Sequence, residues 1–96
     1  MMEDKNIATI IQIITGMLRP KQIILFGSRA RQAGHPFSDY DIALVGAELN
    51  HRTERRLKEM LDSALGIYTV DLVNLDKADS KFRQIVIENG VVVYEN

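Results

Sequence analysis

Cysteine is absent from the sequence, which excludes disulfide bonds and metal sites built from thiolates. A strong charge of either sign is absent as well, since 12 Lys and Arg oppose 13 Asp and Glu for a formal net charge of −1. A nearly neutral chain gives no overall electrostatic reason to bind nucleic acid. Long hydrophobic runs are also missing, because the Ile-rich stretch near the start is interrupted by Thr9, Gln12 and Gly16 and is too short to span a bilayer.

The first five residues, Met-Met-Glu-Asp-Lys, do not form a basic leader, so the sequence predicts neither a signal peptide nor a membrane protein. A cytoplasmic location is the expectation. With 96 residues and 46% hydrophobic content, the chain is expected to form one soluble domain over residues 1–96. Such a domain has room for one core and one site, but not for a separate lobe that holds a second substrate.

Hydrophobic periodicity and turn residues predict alternating helices and strands in the order αβαβαβαβ. Each of three predicted helices is followed by a residue that ends it. Pro20 ends the first helix, Gly66 ends the third and Gly90 ends the last. The predicted helices cover about residues 5–18, 29–32, 51–65 and 82–89, and the predicted strands about residues 22–26, 39–45, 68–73 and 91–94.

Two motifs flank the first and second predicted strands. Gly27 and Ser28 follow the first strand, whereas Asp39 begins the second. For both motifs to contact one nucleotide they must lie at the same end of the sheet, which requires antiparallel strands joined by a connection of about a dozen residues. We therefore predict an α+β fold with a mixed sheet, and not the doubly wound parallel sheet that alternating elements alone would suggest.

Three aspartates are candidate metal ligands. Side chains alternate along a strand, so Asp39 and Asp41 project to one face while Tyr40 points to the other. Asp71 lies within the third strand, and a carboxylate in a buried strand is unfavourable unless it is paired or bound to metal. If the third strand lies beside the second, the three carboxylates surround one centre, where a divalent cation would relieve their repulsion.

This arrangement fits a displacement at phosphorus. Two Mg²⁺ ions bridged by Asp39 and Asp41 would hold the attacking and leaving oxygens. Asp71 would bind only the ion on the nucleophile side, where it would orient and deprotonate an incoming hydroxyl. The predicted activity is therefore a metal-dependent transfer from a nucleotide.

The turn after the first strand supplies candidate phosphate ligands. Gly27 allows the backbone to approach a phosphate closely, and Ser28 offers its hydroxyl together with the amides that open the short helix. Arg29 and Arg31 are candidates for contact with a triphosphate, unless they are simply exposed.

Each motif also has a plainer interpretation. A Gly-Ser pair after a strand is an ordinary turn with a helix cap, and an Asp-x-Asp pattern also arises by chance. His35 and His51 are expected to be exposed to solvent. A basic cluster in the third predicted helix is typical of a solvated helix face, and binding of nucleic acid through it is the weaker hypothesis. That cluster comprises Arg52, Arg55, Arg56 and Lys58.

Several motifs occur in a fixed order over nearly the whole chain. They are a glycine-serine pair, an Asp-x-Asp strand after a gap of ten residues, and an aspartate in a later strand. The segments are residues 27–31 (GSRAR), 38–44 (SDYDIAL) and 70–73 (VDLV). This combination resembles the minimal nucleotidyltransferases of the DNA polymerase beta-like superfamily. The resemblance implies a nucleotidyltransferase fold, metal-ligand roles for Asp39, Asp41 and Asp71, and phosphate binding by Gly27 and Ser28.

The resemblance also implies transfer of a nucleoside monophosphate, commonly AMP from ATP with Mg²⁺, onto a hydroxyl with release of pyrophosphate. Small members of the family are often encoded beside a HEPN-domain protein, in pairs that look like toxin–antitoxin modules. In such pairs the transferase adenylylates a tyrosine of the HEPN ribonuclease, so a type VII-like antitoxin acting on a HEPN toxin is implied. A non-catalytic antitoxin that neutralises its partner by binding is the alternative, and both homo- and hetero-oligomers stay open.

Overall fold

The computed structural model describes residues 4–31 and 39–96. Within these ranges it contains three α-helices, one short 3-10 helix and four strands. The helices are α1 (Lys5–Met17), α2 (His51–Leu65) and α3 (Ser80–Asn89), with the 3-10 helix at Leu75–Lys77. The strands are β1 (Gln22–Phe26), β2 (Tyr40–Val45), β3 (Val70–Asn74) and β4 (Val91–Glu95).

The four strands form one mixed sheet in the order β3-β2-β1-β4. Strand β1 pairs antiparallel with both β2 and β4, whereas β2 and β3 pair in parallel. The predicted α+β fold with antiparallel first and second strands is therefore confirmed. Parallel neighbours need a crossover connection, and α2 forms it between β2 and β3.

The strand register places the candidate site at one end of the sheet, which we call the Gly27 end. Phe26, the last residue of β1, is the Cα partner of Asp41 in β2. Asp41 is in turn the Cα partner of Asp71 in β3. The end of β1 and the beginnings of β2 and β3 therefore meet at this end.

Alternation along the strands gives the sheet two different faces. The first, the α1/α2 face, packs against α1 and α2, while the second, the α3 face, packs against α3 over a smaller core. The buried residues of the first core are Ile7, Ile10, Ile14, Ile23, Leu25, Tyr40, Ile42, Leu44, Leu57, Leu61, Leu65 and Val70. Those of the second are Ile24, Ala43, Leu75 and Val86. Because Asp41 lies between Tyr40 and Ile42, its side chain belongs to the α3 face.

The helix ends follow the local sequence. Asn50 caps α2 by accepting a hydrogen bond from the Thr53 amide on its Oδ1 at 2.8 Å, and Gly66 ends the helix with a φ of 63°. The longest described helix, α2, has 15 residues, and no helix in the described ranges is both long and apolar enough to cross a bilayer.

The short helix predicted for residues 29–32 is not a helix in the part that the structure describes. Residues 28–31 form turns, in which the Arg31 amide donates to the Gly27 carbonyl oxygen at 3.3 Å. A single helical turn fixes several residues for one such hydrogen bond, so it does not extend without further support. Gln32 lies outside the described residues.

Candidate active site

Asp41 is the central acidic residue of the Gly27 end. Its side chain is half-buried on the α3 face, beside Phe26 on one neighbouring strand and Asp71 on the other. Burial raises the pKa of Asp41 above its ordinary value of 3.8, and the charges of Asp71 and Asp39 raise it further. Asp41 and Asp71 are register partners on adjoining strands and Asp39 lies two residues before Asp41, so the three residues lie at the same end of the sheet.

Asp39 and Asp71 are both exposed, in contrast to Asp41. The expectation that Asp71 is a buried carboxylate is therefore wrong, because β3 is an edge strand and its α3 face is open at this position. The related expectation, that the third strand lies beside the second with Asp71 next to Asp41, is confirmed by the parallel register. Exposure lowers the energetic cost of the charge on Asp71.

The chemistry of these side chains fits Mg²⁺, since carboxylate oxygens are the hard ligands that this ion prefers. Burial is the main cause of the raised pKa of Asp41, and the repulsion from Asp71 and Asp39 that adds to it is what a bound cation would offset. Among residues 4–31 and 39–96, however, no three acidic or histidine side chains are grouped tightly enough to hold one ion together. The convergence of Asp39, Asp41 and Asp71 on metal thus stays a prediction.

Gly27 packs directly against Asp41. Its φ of +77° lies in the left-handed region, which favours glycine, and a Cβ at this position would collide with Oδ2 of Asp41 and lie 3.1 Å from Cγ. Position 27 therefore requires glycine for two reasons, the left-handed backbone and the lack of room for a side chain beside Asp41. The turn that begins with Gly27 and Ser28 lies immediately beside the half-buried carboxylate, as the sequence predicts.

The two arginines of this turn are placed differently. The Arg29 guanidinium carbon lies 3.9 Å from the centre of the Tyr40 ring and 5.6 Å from that of Tyr68. Because Tyr40 belongs to the core of the α1/α2 face, Arg29 is directed toward the face opposite to Asp41. Arg31 is exposed.

Tyr40 forms a hydrogen-bonded network that the sequence did not reveal. Its hydroxyl donates to Oδ2 of Asp4 at 2.9 Å and accepts from Nδ2 of Asn6 at 3.0 Å. Burial raises the pKa of Tyr40 above 10.0, opposed by the hydrogen bond from Asn6 and reinforced by the one to Asp4. The prediction that Tyr40 packs on the face opposite to the aspartates is correct, but the ring also links β2 to the beginning of α1.

The remaining candidates within the described residues lie away from this end of the sheet. Three members of the basic cluster, Arg52, Arg55 and Arg56, are exposed on α2, which covers the face opposite to Asp41. His51 is exposed at the first position of α2, as predicted, and His35 lies outside the described residues. Of the residues that the structure describes, neither His51 nor these three arginines belongs to the aspartate region.

Comparisons with known proteins agree with this arrangement. A model of the family described as Polymerase beta, Nucleotidyltransferase matches residues 8–96. The chain is 27% identical over 94 residues to a probable protein adenylyltransferase MntA of Haemophilus influenzae, covering 97% of this chain and 82% of the relative.

Solved structures give the same result at the level of the fold. A chain in the crystal structure of a toxin–antitoxin with AMP-PNP has a TM-score of 0.75 and 29% identity, with 99% of this chain and 75% of that chain covered. A chain in the structure of a tri-AMPylated Shewanella oneidensis HEPN toxin in complex with MNT antitoxin has a TM-score of 0.74 and 29% identity, with 99% and 74% covered.

Proposed function

Because the chain belongs to the polymerase beta nucleotidyltransferase family, we propose that it transfers AMP from ATP to a hydroxyl group of a partner protein. The observation that carries this proposal is the register that sets Asp41 opposite Asp71 on one face, directly beside the Gly27 turn. The relative named as a probable protein adenylyltransferase supports the choice of AMP and of a protein acceptor.

The acidic residues have separate roles in this proposal. Asp39, Asp41 and Asp71 would hold Mg²⁺, which when bound supplies Lewis-acid stabilisation of charge on the phosphate oxygens. Asp71, exposed at the edge of the sheet, orients the acceptor hydroxyl and takes its proton. The acceptor oxygen then forms a bond to the α-phosphorus of ATP while the bond from that phosphorus to the leaving oxygen breaks, which releases pyrophosphate.

The turn holds the phosphates of the donor. The Ser28 hydroxyl and the turn amides donate hydrogen bonds to the phosphates, and the absence of a side chain at Gly27 lets this turn lie directly against Asp41. Arg31 is exposed at the end of the described turn, where its guanidinium is available to a triphosphate. These roles need no residue from the α1/α2 face.

The proposed acceptor is a tyrosine of a HEPN toxin, which makes this chain the antitoxin of a toxin–antitoxin pair. Support comes from the matched structures, one of a HEPN toxin carrying AMP in complex with an MNT antitoxin and one of a toxin–antitoxin with AMP-PNP. A small domain with one site fits an acceptor that arrives as a separate folded protein.

A second candidate function is neutralisation by contact alone. Several large apolar side chains are exposed, with Ile67 at 74%, Ile87 at 60% and Ile85 at 58%, and exposed apolar surface of this kind favours protein contacts. In that case the aspartates would be dispensable for neutralisation, while these apolar side chains would not.

The two functions are separated by incubating the protein with α-labelled ATP, Mg²⁺ and a HEPN-domain protein, the proposed acceptor. We expect label on the HEPN protein, and we expect Asp41→Asn to abolish the labelling. Asp62→Asn, which changes an exposed carboxylate on α2, is the matched control and should leave the labelling unchanged.

Three outcomes decide between the candidates. Labelling that depends on Asp41 supports the transferase. Neutralisation of the toxin by Asp41→Asn without any labelling supports contact alone. Labelling that is equal in wild type and Asp41→Asn overturns the proposed site.

A further inference from the structure

We propose that Arg29 and Tyr40 form a positioning pair, which holds the Gly27–Ser28 turn in register with the strand that carries Asp39 and Asp41. This inference rests on the proposed function. It assigns Arg29 a role through Tyr40, in place of the phosphate contact predicted from the sequence. It also assigns the middle residue of the Asp-x-Asp motif a role of its own.

The side chains of Arg29 and Tyr40 stack on each other. The Arg29 guanidinium carbon lies 3.9 Å from the centre of the Tyr40 ring, well within the range of a cation–π contact. Arg29 is two residues beyond Gly27, and Tyr40 is the first residue of β2. The contact therefore joins the turn to β2 directly, across the sequence gap between them.

Tyr40 is itself held in place by several contacts. Its side chain is 1% exposed, its hydroxyl bonds to Asp4 at 2.9 Å and Asn6 at 3.0 Å, and its ring packs edge-on against Tyr68 with centres 5.9 Å apart. A ring held on three sides is a rigid platform for Arg29. The backbone on both sides of Tyr40 carries the candidate metal ligands, so the platform and the carboxylates move together.

The turn and β2 also approach each other on the opposite face of the sheet. Gly27 lies so close to Asp41 that a single added carbon would collide with its carboxylate. This contact limits how near the turn comes to β2, and the Arg29–Tyr40 stack limits how far it moves away. Together they define the separation between the phosphate turn and the aspartates.

Loss of the stack is expected to lower kcat more than it weakens binding, because the phosphates can follow a displaced turn whereas the aspartates on β2 stay in place. Reacting groups that are displaced by about 1 Å lose roughly a hundredfold in rate. We expect Arg29→Met and Tyr40→Leu each to lower kcat about tenfold to a hundredfold, while KM for ATP changes less than about threefold. A direct contact of Arg29 with phosphate would instead raise KM.

The decisive experiment is a double-mutant cycle on AMP transfer to the HEPN protein. If Arg29 acts through Tyr40, the double variant Arg29→Met/Tyr40→Leu is no slower than the slower single variant. If the rate loss of the double variant equals the product of the two single losses, the residues act independently and the proposal is overturned. Tyr40→Phe keeps the ring but not the hydroxyl, so it should retain kcat within about threefold, and Arg29→Met should reduce its rate as much as it reduces that of wild type.

A matched control removes the arginine charge elsewhere. Arg52→Met changes an exposed arginine on α2 and should leave kcat and KM unchanged. All rates are measured well below the unfolding temperature of each variant. If Tyr40→Leu does not fold, Arg29→Met and Arg29→Lys still decide the matter, because a rise in KM that Lys restores would identify a phosphate contact and overturn the proposal.

Hydrogen exchange tests the positioning pair without any catalytic measurement, so a failure of the pair can be distinguished from a failure of the proposed function. The Arg31 amide donates to the Gly27 carbonyl at 3.3 Å, so its hydrogen exchange reports on the turn. We expect Arg29→Met to speed this exchange at least about tenfold, and Arg52→Met not to change it. Unchanged exchange overturns the positioning pair, whereas a wild-type protein that labels nothing overturns only the transferase.

Discussion

The two faces of the sheet differ in what they bury. The α1/α2 face packs twelve buried residues into one core, whereas the α3 face has a core of four and leaves Asp41 and Asp71 beyond its edge. Adjacent residues of one strand serve the two faces, since Tyr40 and Ile42 enter the large core and Asp41 between them does not. Alternate residues of β2 therefore have different roles, since one set packs into the large core and the other lies on the face that carries the candidate site.

This difference explains how so short a chain retains charged groups in close proximity. Carboxylates that repel each other reduce the stability of the folded state. The large apolar core on the opposite face offsets that loss, because burial of apolar surface is the main favourable contribution to folding. We expect substitutions on the two faces to have different consequences.

The largest effect is expected on the stability of the α1/α2 face. Leu61→Ala removes a side chain that is 0% exposed, and should lower the free energy of unfolding by about 2–5 kcal/mol. Denaturant unfolding measures this, with Met60→Ala as the neighbouring control, since Met60 is 39% exposed. The kcat of the molecules that remain folded should be unchanged, and a proportionate loss of kcat would mean that the faces are not separate.

The next largest effect is expected on the α3 face, where ligand binding at the aspartates should stabilise the folded protein. Mg²⁺ with ATP at a hundred times its dissociation constant should stabilise the folded protein by about 2.7 kcal/mol. Thermal unfolding with and without the two ligands measures this shift, and Asp41→Asn should remove it. Absence of a shift in wild type would argue against a metal–nucleotide site on the α3 face.

A smaller effect is expected where the turn meets the α3 face. Gly27→Ala combines a left-handed backbone with a collision at Asp41, and should destabilise the protein by roughly 1–2 kcal/mol from the backbone alone. Gly16→Ala is the control, because a Cβ at Gly16 meets nothing within 4 Å. If Gly27→Ala were as stable as wild type, the turn would not be as close to Asp41 as described.

The smallest effect concerns pH. Burial, followed by the charges of Asp71 and Asp39, raises the pKa of Asp41, so the folded protein binds this proton more tightly than the unfolded chain. The resulting stabilisation is complete below the ordinary value of 3.8 and is lost as the pH rises through the elevated pKa. Without metal, Asp41→Asn should therefore gain stability relative to wild type as the pH rises toward neutrality.

Unfolding in the presence of a chelator, followed across this pH range, measures the difference between the two proteins. Asp62→Asn, which removes an exposed carboxylate on α2, is the control for the loss of one negative charge. A constant difference between Asp41→Asn and wild type at every pH would contradict the raised pKa of Asp41.

Much of the site was predictable because it depends on local pattern. Alternation alone places Asp39 and Asp41 on one side of β2, and the requirement that Ser28 and Asp39 serve one nucleotide gives the antiparallel pairing of β1 and β2. A capping residue such as Asn50 forms its hydrogen bond with a neighbour in sequence, so the beginning of α2 can be predicted from the local sequence.

What sequence did not reveal depends on contacts between distant segments. The exposure of Asp71 follows from the position of β3 at the sheet edge, and no local pattern encodes strand order. The hydrogen bonds of Tyr40 reach Asp4 and Asn6, which are 36 and 34 residues away. The short helix failed for a related reason, since a single turn takes its conformation from its surroundings.

The close approach of Gly27 to Asp41 has an evolutionary consequence. A larger residue at position 27 is compatible with this backbone only if the side chain at position 41 becomes shorter, which would remove its carboxylate. The two positions therefore cannot drift independently. Selection that preserves an acid at 41 also preserves glycine at 27, even though the glycine has no functional group of its own.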